Sequence, residues 1–228
     1  MKLEDLKNNP LLISVNLKIQ GPAGLQPTST LSINSTMISP ESTKTYAETI
    51  DMMPNAVVAG RAELGALQGD AQFIQVSASG TANCYWLPWG NGKVYLGQLG
   101  TAYDYFFTYT INGCGVLIGG TQAQPIVVHA NLNCKRLNDA VEEAMKQGGN
   151  IGENIAHAQA IIYDQFYGNL AARLIQDNRL SGARLEVVTP QQYLVDAKAG
   201  FGAVFGINNS GSWEFYGNWA KHTTKIWP

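Results

Sequence analysis

The sequence predicts an α+β fold, β-sandwich-like strands with helices packed on one side. Three observations lead there. Apolar and polar residues alternate in short runs over much of the first 130 positions, the period of two that belongs to half-buried strands. After His129 the period changes to the three-and-four spacing of helices, and two further alternating runs close the chain. Twenty-four glycines against only 14% charged residues describe a turn-rich globule. At 228 residues, 45% of them hydrophobic, the chain is long enough for one sizeable core and reads as one domain over 1–228.

Taken in order, residues 3–8 read as a helical turn ended by Pro10. Residues 11–20 alternate, with Ile13, Val15, Leu17 and Ile19 on one face of a strand. Gly21-Pro22-Ala23-Gly24 turns the chain, and 29–35 answers with a second alternating strand. Residues 36–69 lack a clear period; Met52-Met53-Pro54 and the Ala/Gly-rich run 56–67 read as a surface insertion, a loop with a short helix against one sheet edge. A strand returns at 71–78. In 101–110, Tyr103, Tyr105, Phe107 and Tyr109 take one face, Phe106 and Thr108 the other.

Leu137, Val141, Ala144 and Met145 then recur at helical spacing before Gly148-Gly149, which ends the helix. A second helix is predicted over 153–177, with Ile155, Ile162, Phe166, Leu170 and Leu174 inward and Gly168 as a break or kink. His157 on that helix reads as an exposed or edge residue. Thr189-Pro190-Gln191-Gln192 carries a capping-box pattern that starts a short helix. Residues 201–207, the turn Asn208-Asn209-Ser210-Gly211 and residues 213–219 read as a hairpin.

The chemistry-bearing stretch is 86–129. Cys114 stands between Gly113 and Gly115 and opens the run Val116-Leu117-Ile118; Pro125-Ile126-Val127-Val128-His129 follows after a turn. Such a hairpin brings a thiol and an imidazole within reach when the register is right. The imidazole takes the thiol proton, and the thiolate is the nucleophile that a neutral thiol is not. The flanking glycines would let a substrate backbone approach and leave amide N–H groups for a developing oxyanion. The alternative is a packed core thiol, since cysteine is among the most buried residue types. Trp86 and Trp89 either wall a substrate trench or cap the core.

Trp86-Leu87-Pro88-Trp89, Phe106-Phe107-Thr108-Tyr109, Gly113-Cys114 and His129 together resemble the catalytic core of the Burkholderia lethal factor family of glutamine deamidase toxins. More distantly they resemble the catalytic domain of the cytotoxic necrotizing factors. The match is clearest over 86–129, about a fifth of the chain. The resemblance implies a cytotoxic necrotizing factor catalytic-domain-like α+β fold, with Cys114 as nucleophile, His129 as its base and Thr108, six residues before the cysteine, completing the site. It casts Trp86, Trp89, Asn112 and Gly113 as substrate-binding residues. It further implies a protein-glutamine deamidase, a hydrolase needing no cofactor and no metal. Its partner would be a host protein: the RNA helicase subunit of translation initiation, or a Rho-family GTPase as second choice. Asn112 stands where the lethal factor has a serine, and no acidic residue closely follows His129.

A net charge of −2 and a pI near 5.9 offer no electrostatic case for direct nucleic-acid binding or an anionic membrane. Cys84, Cys114 and Cys134 lack the spacing of a zinc site or a disulfide framework, although a Cys84 to Cys134 pair is conceivable. No apolar run is long enough for a membrane segment, and the N-terminus lacks the apolar region of a signal peptide. By resemblance, then, the expected protein is a bacterial virulence product that blocks translation in the host cell cytosol. Two rivals are a transglutaminase, in which an amine resolves the same thioester, and a non-catalytic β-sandwich binding module presenting Trp86, Trp89, Trp213 and Trp219.

Overall fold

The structure, a computed structural model, describes residues 1–24, 29–39, 42–131, 135–180, 184–197 and 199–228, with the backbone alone given for 33–39, 42–48, 135–136 and 195–196. It is α+β and built mostly of strands. One sheet holds, in spatial order, β1 (Asn16–Gln20), β5 (Ala71–Ser77), β4 (Val58–Gln68), β6 (Cys84–Leu87), β8 (Tyr105–Thr108), β12 (Ala203–Asn209), β13 (Ser212–Trp219) and β14 (His222–Trp227). The other runs β11 (Glu186–Val188), β9 (Cys114–Gly120), β10 (Pro125–Asn131), β7 (Lys93–Gln98), β3 (Ser42–Met53) and β2 (Ser29–Ser39). The three α-helices described are α1 (Leu3–Asn8), α2 (Lys135–Lys146) and α3 (Ile151–Gln176).

Period-two side chains divide the interior into three apolar layers. Leu117, Val128 and Ala130 of the six-stranded sheet face α3, which buries Ile162, Phe166, Leu170 and Leu174 against them. The opposite side of the same strands, with Val116, Ile118 and Val127, meets Phe106, Val204 and Phe215 of the eight-stranded sheet. A third cluster lies on the far side of that sheet, where Leu17, Ile19, Trp86, Phe107 and Phe205 pack with Leu6 of α1. The long helices α2 and α3 thus cover the six-stranded sheet, while the short α1 lies on the outer side of the eight-stranded one, so the helices are not all on one side, contrary to expectation.

The eight-stranded sheet curls until its first strand meets β13, and one side chain stitches the join. Asn218 accepts from the Leu17 N–H (2.7 Å) and donates to the Val15 carbonyl (3.1 Å) and to Thr223 Oγ1 (2.9 Å). Asn218 is buried, so Asn218→Leu leaves a backbone donor and acceptor without partners and without water. Each costs about 1–3 kcal/mol. At about 2–4 °C per kcal/mol for a chain of this size, differential scanning calorimetry should show Tm lowered by roughly 5–15 °C.

Several expectations need correction. Among the described residues of 36–69 lie the end of β2 and the strands β3 and β4, not an insertion with a short helix. The β4 interior is built from Gly60 and Ala62 because larger neighbours press on it: a Cβ on Gly60 would lie 2.8 Å from Val76 Cγ1. Small residues demanded by packing imitate a loop composition. The first strand begins at Asn16, after a 3₁₀ turn at Pro10–Leu12. α3 runs unbroken through Gly168, where added side-chain atoms would meet nothing. Met145 is exposed rather than inward. Strands β6, β7, β11 and β14 are not among the elements expected from the sequence. Cys84 is a free buried thiol that donates to the Gly60 carbonyl; Cys134 lies outside the described residues.

Candidate active site

β9 and β10 pair antiparallel with Cys114 directly opposite Asn131 and His129 opposite Val116. Alternation puts Cys114, His129 and Asn131 on the face turned toward the eight-stranded sheet. Cys114 and His129 are therefore diagonal neighbours, a relation in which residues lie about 7–8 Å apart and long side chains still reach one another. Ahead of the cysteine, Ile111 is tied to Gly202 by two backbone bonds (2.8 and 2.9 Å), and Gly113 turns the chain at φ +82°. That left-handed conformation favours glycine.

The imidazole is held from the opposing sheet. Thr108 Oγ1 lies 2.6 Å from His129 Nδ1 and 2.8 Å from the Leu87 carbonyl oxygen. A carbonyl only accepts, so the single hydroxyl proton of Thr108 goes to Leu87. The remaining contact requires Nδ1–H of His129 to donate to Thr108 Oγ1. The neutral ring thus carries its proton on Nδ1 and a lone pair on Nε2. Nε2 is buried and has no hydrogen-bond partner among the described residues. An unpartnered buried acceptor is costly in a core and useful in a base.

Thr108 and His129 are 0% and 1% exposed, and Cys114 is 3% exposed. Cys114 nonetheless lines an open cavity of about 370 Å³ together with Lys18, Gln20, Trp89, Tyr109, Thr110 and Asn112. The Asn131 amide nitrogen donates to the sulfur at 3.2 Å. Burial pushes the Cys114 thiol up; the Asn131 bond and the Asn112 backbone N–H oppose that shift. Burial pushes the His129 imidazole down to about 3. The resting pair is therefore a neutral thiol and a neutral imidazole. A preformed thiolate is not favoured at neutral pH, and the proton moves only as the sulfur attacks.

That depression has a stability consequence. Between about pH 3 and 6.5 the unfolded histidine binds a proton that the folded one refuses, so stability rises with pH across this window and is lost as pH falls through it. Each unit of acidification costs up to about 1.4 kcal/mol from this group. Urea titrations at pH 4 and 6 should show His129→Gln losing less stability over that interval than wild type. Equal losses would place the ring in water.

Of the residues singled out from sequence, Cys114, Asn112 and Trp89 share the cavity, and Thr108 and His129 stand joined in the interior. Gly113 offers its carbonyl to the Tyr167 hydroxyl (3.1 Å). Gly115 serves α3 rather than a substrate: a Cβ there would lie 2.5 Å from the Tyr167 ring. Trp86 faces the third apolar layer, donates its indole N–H to Pro22 and borders a separate apolar cavity with Met53, Val58 and Pro88. Trp86 and Trp213 are fully buried, which removes two of the four aromatics a binding module was to present. His157 and His222 are exposed.

Sequence reasoning missed Asn131, Lys18, Gln20 and Tyr193, whose hydroxyl donates to the Cys114 carbonyl (2.8 Å). Only Asn131 left a readable signal: it follows His129 by two positions on one strand and so shares its face. Among the described residues no cluster of three or more His, Cys, Asp or Glu could hold a metal ion, and no helix is long and apolar enough to cross a membrane. Comparisons with known protein families and with curated proteins find no match to this chain.

Proposed function

We propose that this chain is a cysteine-dependent amidohydrolase acting on side-chain carboxamides. Its particular reaction is deamidation of a glutamine on a host protein, as in the lethal-factor toxins that residues 86–129 resemble, and its α+β build of stacked sheets agrees with the fold class that resemblance implies. The observation that carries the reading is His129, its Nδ1 bonded to Thr108 and its Nε2 buried without a partner among the described residues, at the position diagonal to the cavity-lining Cys114 on the paired strand.

In the reaction Cys114 Sγ adds to the glutamine side-chain carbonyl carbon as its proton passes to His129 Nε2. The carbonyl electrons move onto oxygen, giving a tetrahedral oxyanion. Collapse breaks the C–N bond, and His129 returns the proton to the leaving ammonia. Water, deprotonated by His129, then cleaves the thioester to glutamate and the free thiol. Thr108 holds the ring in the required tautomer throughout. Lys18, Gln20, Trp89, Tyr109 and Asn112 line the cavity beside Cys114, so an extended polar side chain would meet hydrogen-bonding groups and aromatic surface there.

The target that follows from the resemblance is the RNA helicase subunit of translation initiation, so the toxin would act in the host cytosol and stop translation. The test is mass spectrometry of host lysate treated with wild type or Cys114→Ser. A one-dalton glutamine-to-glutamate shift with ammonia release, confined to wild type, supports the proposal. Amine incorporation in place of ammonia release would make the enzyme a transglutaminase, and unchanged lysate would refute both.

A further inference from the structure

We propose that Asn131 is a catalytic residue: its amide nitrogen holds the negative charge of the Cys114 sulfur during attack and then the oxyanion formed on the substrate. The inference rests on reading Cys114 as the nucleophile and adds the side chain that stabilises its charge. Asn131 stands directly across β9 from Cys114, with Nδ2 donating to Sγ at 3.2 Å. Its other end is fixed, because Oδ1 accepts from the Gly92 N–H at 2.8 Å. Gly92 N–H has only a proton to offer, so the flipped amide would set donor against donor. The turn before β7 therefore decides that Asn131 presents N–H to the sulfur and not oxygen.

The chemistry needs such a donor. His129 and Cys114 rest neutral, the ring buried and the cysteine at the cavity wall, so charge appears only as the S–C bond forms and the thiol proton reaches Nε2. A preorganised donor acts where that charge develops and costs no reorganisation. The Nδ2 amide has two protons: one meets the sulfur, and the second is available to a carbonyl oxygen on the carbon the sulfur attacks. The backbone at Asn112 also favours negative charge on the sulfur. Among the described residues, the titratable side chains placed beside Cys114 are His129 on β10, Tyr193 after β11 and Lys18 of the same cavity, and no carboxylate is among them.

The experiment is the pH profile of Cys114 alkylation by iodoacetamide, read peptide by peptide by mass spectrometry on full-length wild type, Asn131→Asp and Asn131→Ala. Aspartate keeps the shape and the Gly92 bond but replaces the donor with an anion. We expect the Asn131→Asp midpoint to rise by at least about one unit, tenfold in alkylation rate below it, and the Asn131→Ala midpoint to rise less. In both, kcat for deamidation should fall about 10²–10³-fold at little-changed KM. Melting curves accompany each variant, and if aspartate unfolds the chain the alanine profile decides. Wild-type midpoints and kcat in the folded variants would overturn the proposal. A wild type that alkylates as expected but never deamidates glutamine would sink the reaction assigned above, while the midpoints still judge Asn131.

Discussion

Cys114→Ser is expected to lower glutamine deamidation by about 10⁴-fold or more while moving Tm by no more than a few degrees. The loss is chemical: an alcohol is a far poorer nucleophile than a thiol when the only base is one neutral imidazole. Stability is spared because Cys114 lines an open cavity, and a serine hydroxyl can accept the Asn131 amide that now donates to sulfur. Ammonia release and differential scanning fluorimetry on the same preparation check both halves. Retained activity, or a collapse in Tm with activity lost in proportion, would return Cys114 to the role of a core thiol.

Thr108→Val should cost about 10²–10⁴ in kcat with KM nearly unchanged, and Thr108→Ser should recover most of it. Valine has threonine's shape, so the 0% exposed position stays filled. What disappears is the acceptor for Nδ1–H and the donor to Leu87. A ring with no partner on Nδ1 is free to carry its proton on Nε2, where it can no longer accept one from sulfur. Nitrogen chemical shifts of a labelled imidazole separate this from a packing defect, since they report the tautomer directly. A valine variant with wild-type kcat would remove Thr108 from the mechanism. Stability falls too, by about 1–3 kcal/mol for the stranded buried groups, and thermal melts of the same samples measure that cost independently of the rate.

Legibility followed a physical divide. Strands whose faces differ in polarity could be read: Leu17 and Ile19 are buried as their alternation says, and so are Phe106 and Thr108 against Tyr105 and Phe107, each pair on its own side of β8. Ile162, Phe166, Leu170 and Leu174 mark the buried face of α3 for the same reason. β4 could not be read, because its inward Gly60 leaves room for Val76 and its inward Ala62 is small, so the buried face carries little apolar bulk. Gly115 misled in the opposite direction, since the space beside it belongs to Tyr167.

At the site, local sequence determined that a thiol and an imidazole would stand on paired strands: the hairpin of β9 and β10 is short, and its period places side chains without help from the rest of the chain. Thr108 could be marked as a candidate, but its hydrogen bond to His129 crosses from one sheet to the other, and no spacing along a chain encodes how two sheets stack. The tautomer of His129 and its burial, and the turn that aims the Asn131 amide at sulfur, were decided by tertiary structure alone. A side chain's residue type is local information; its protonation state and the direction of its dipole belong to whatever packs around it.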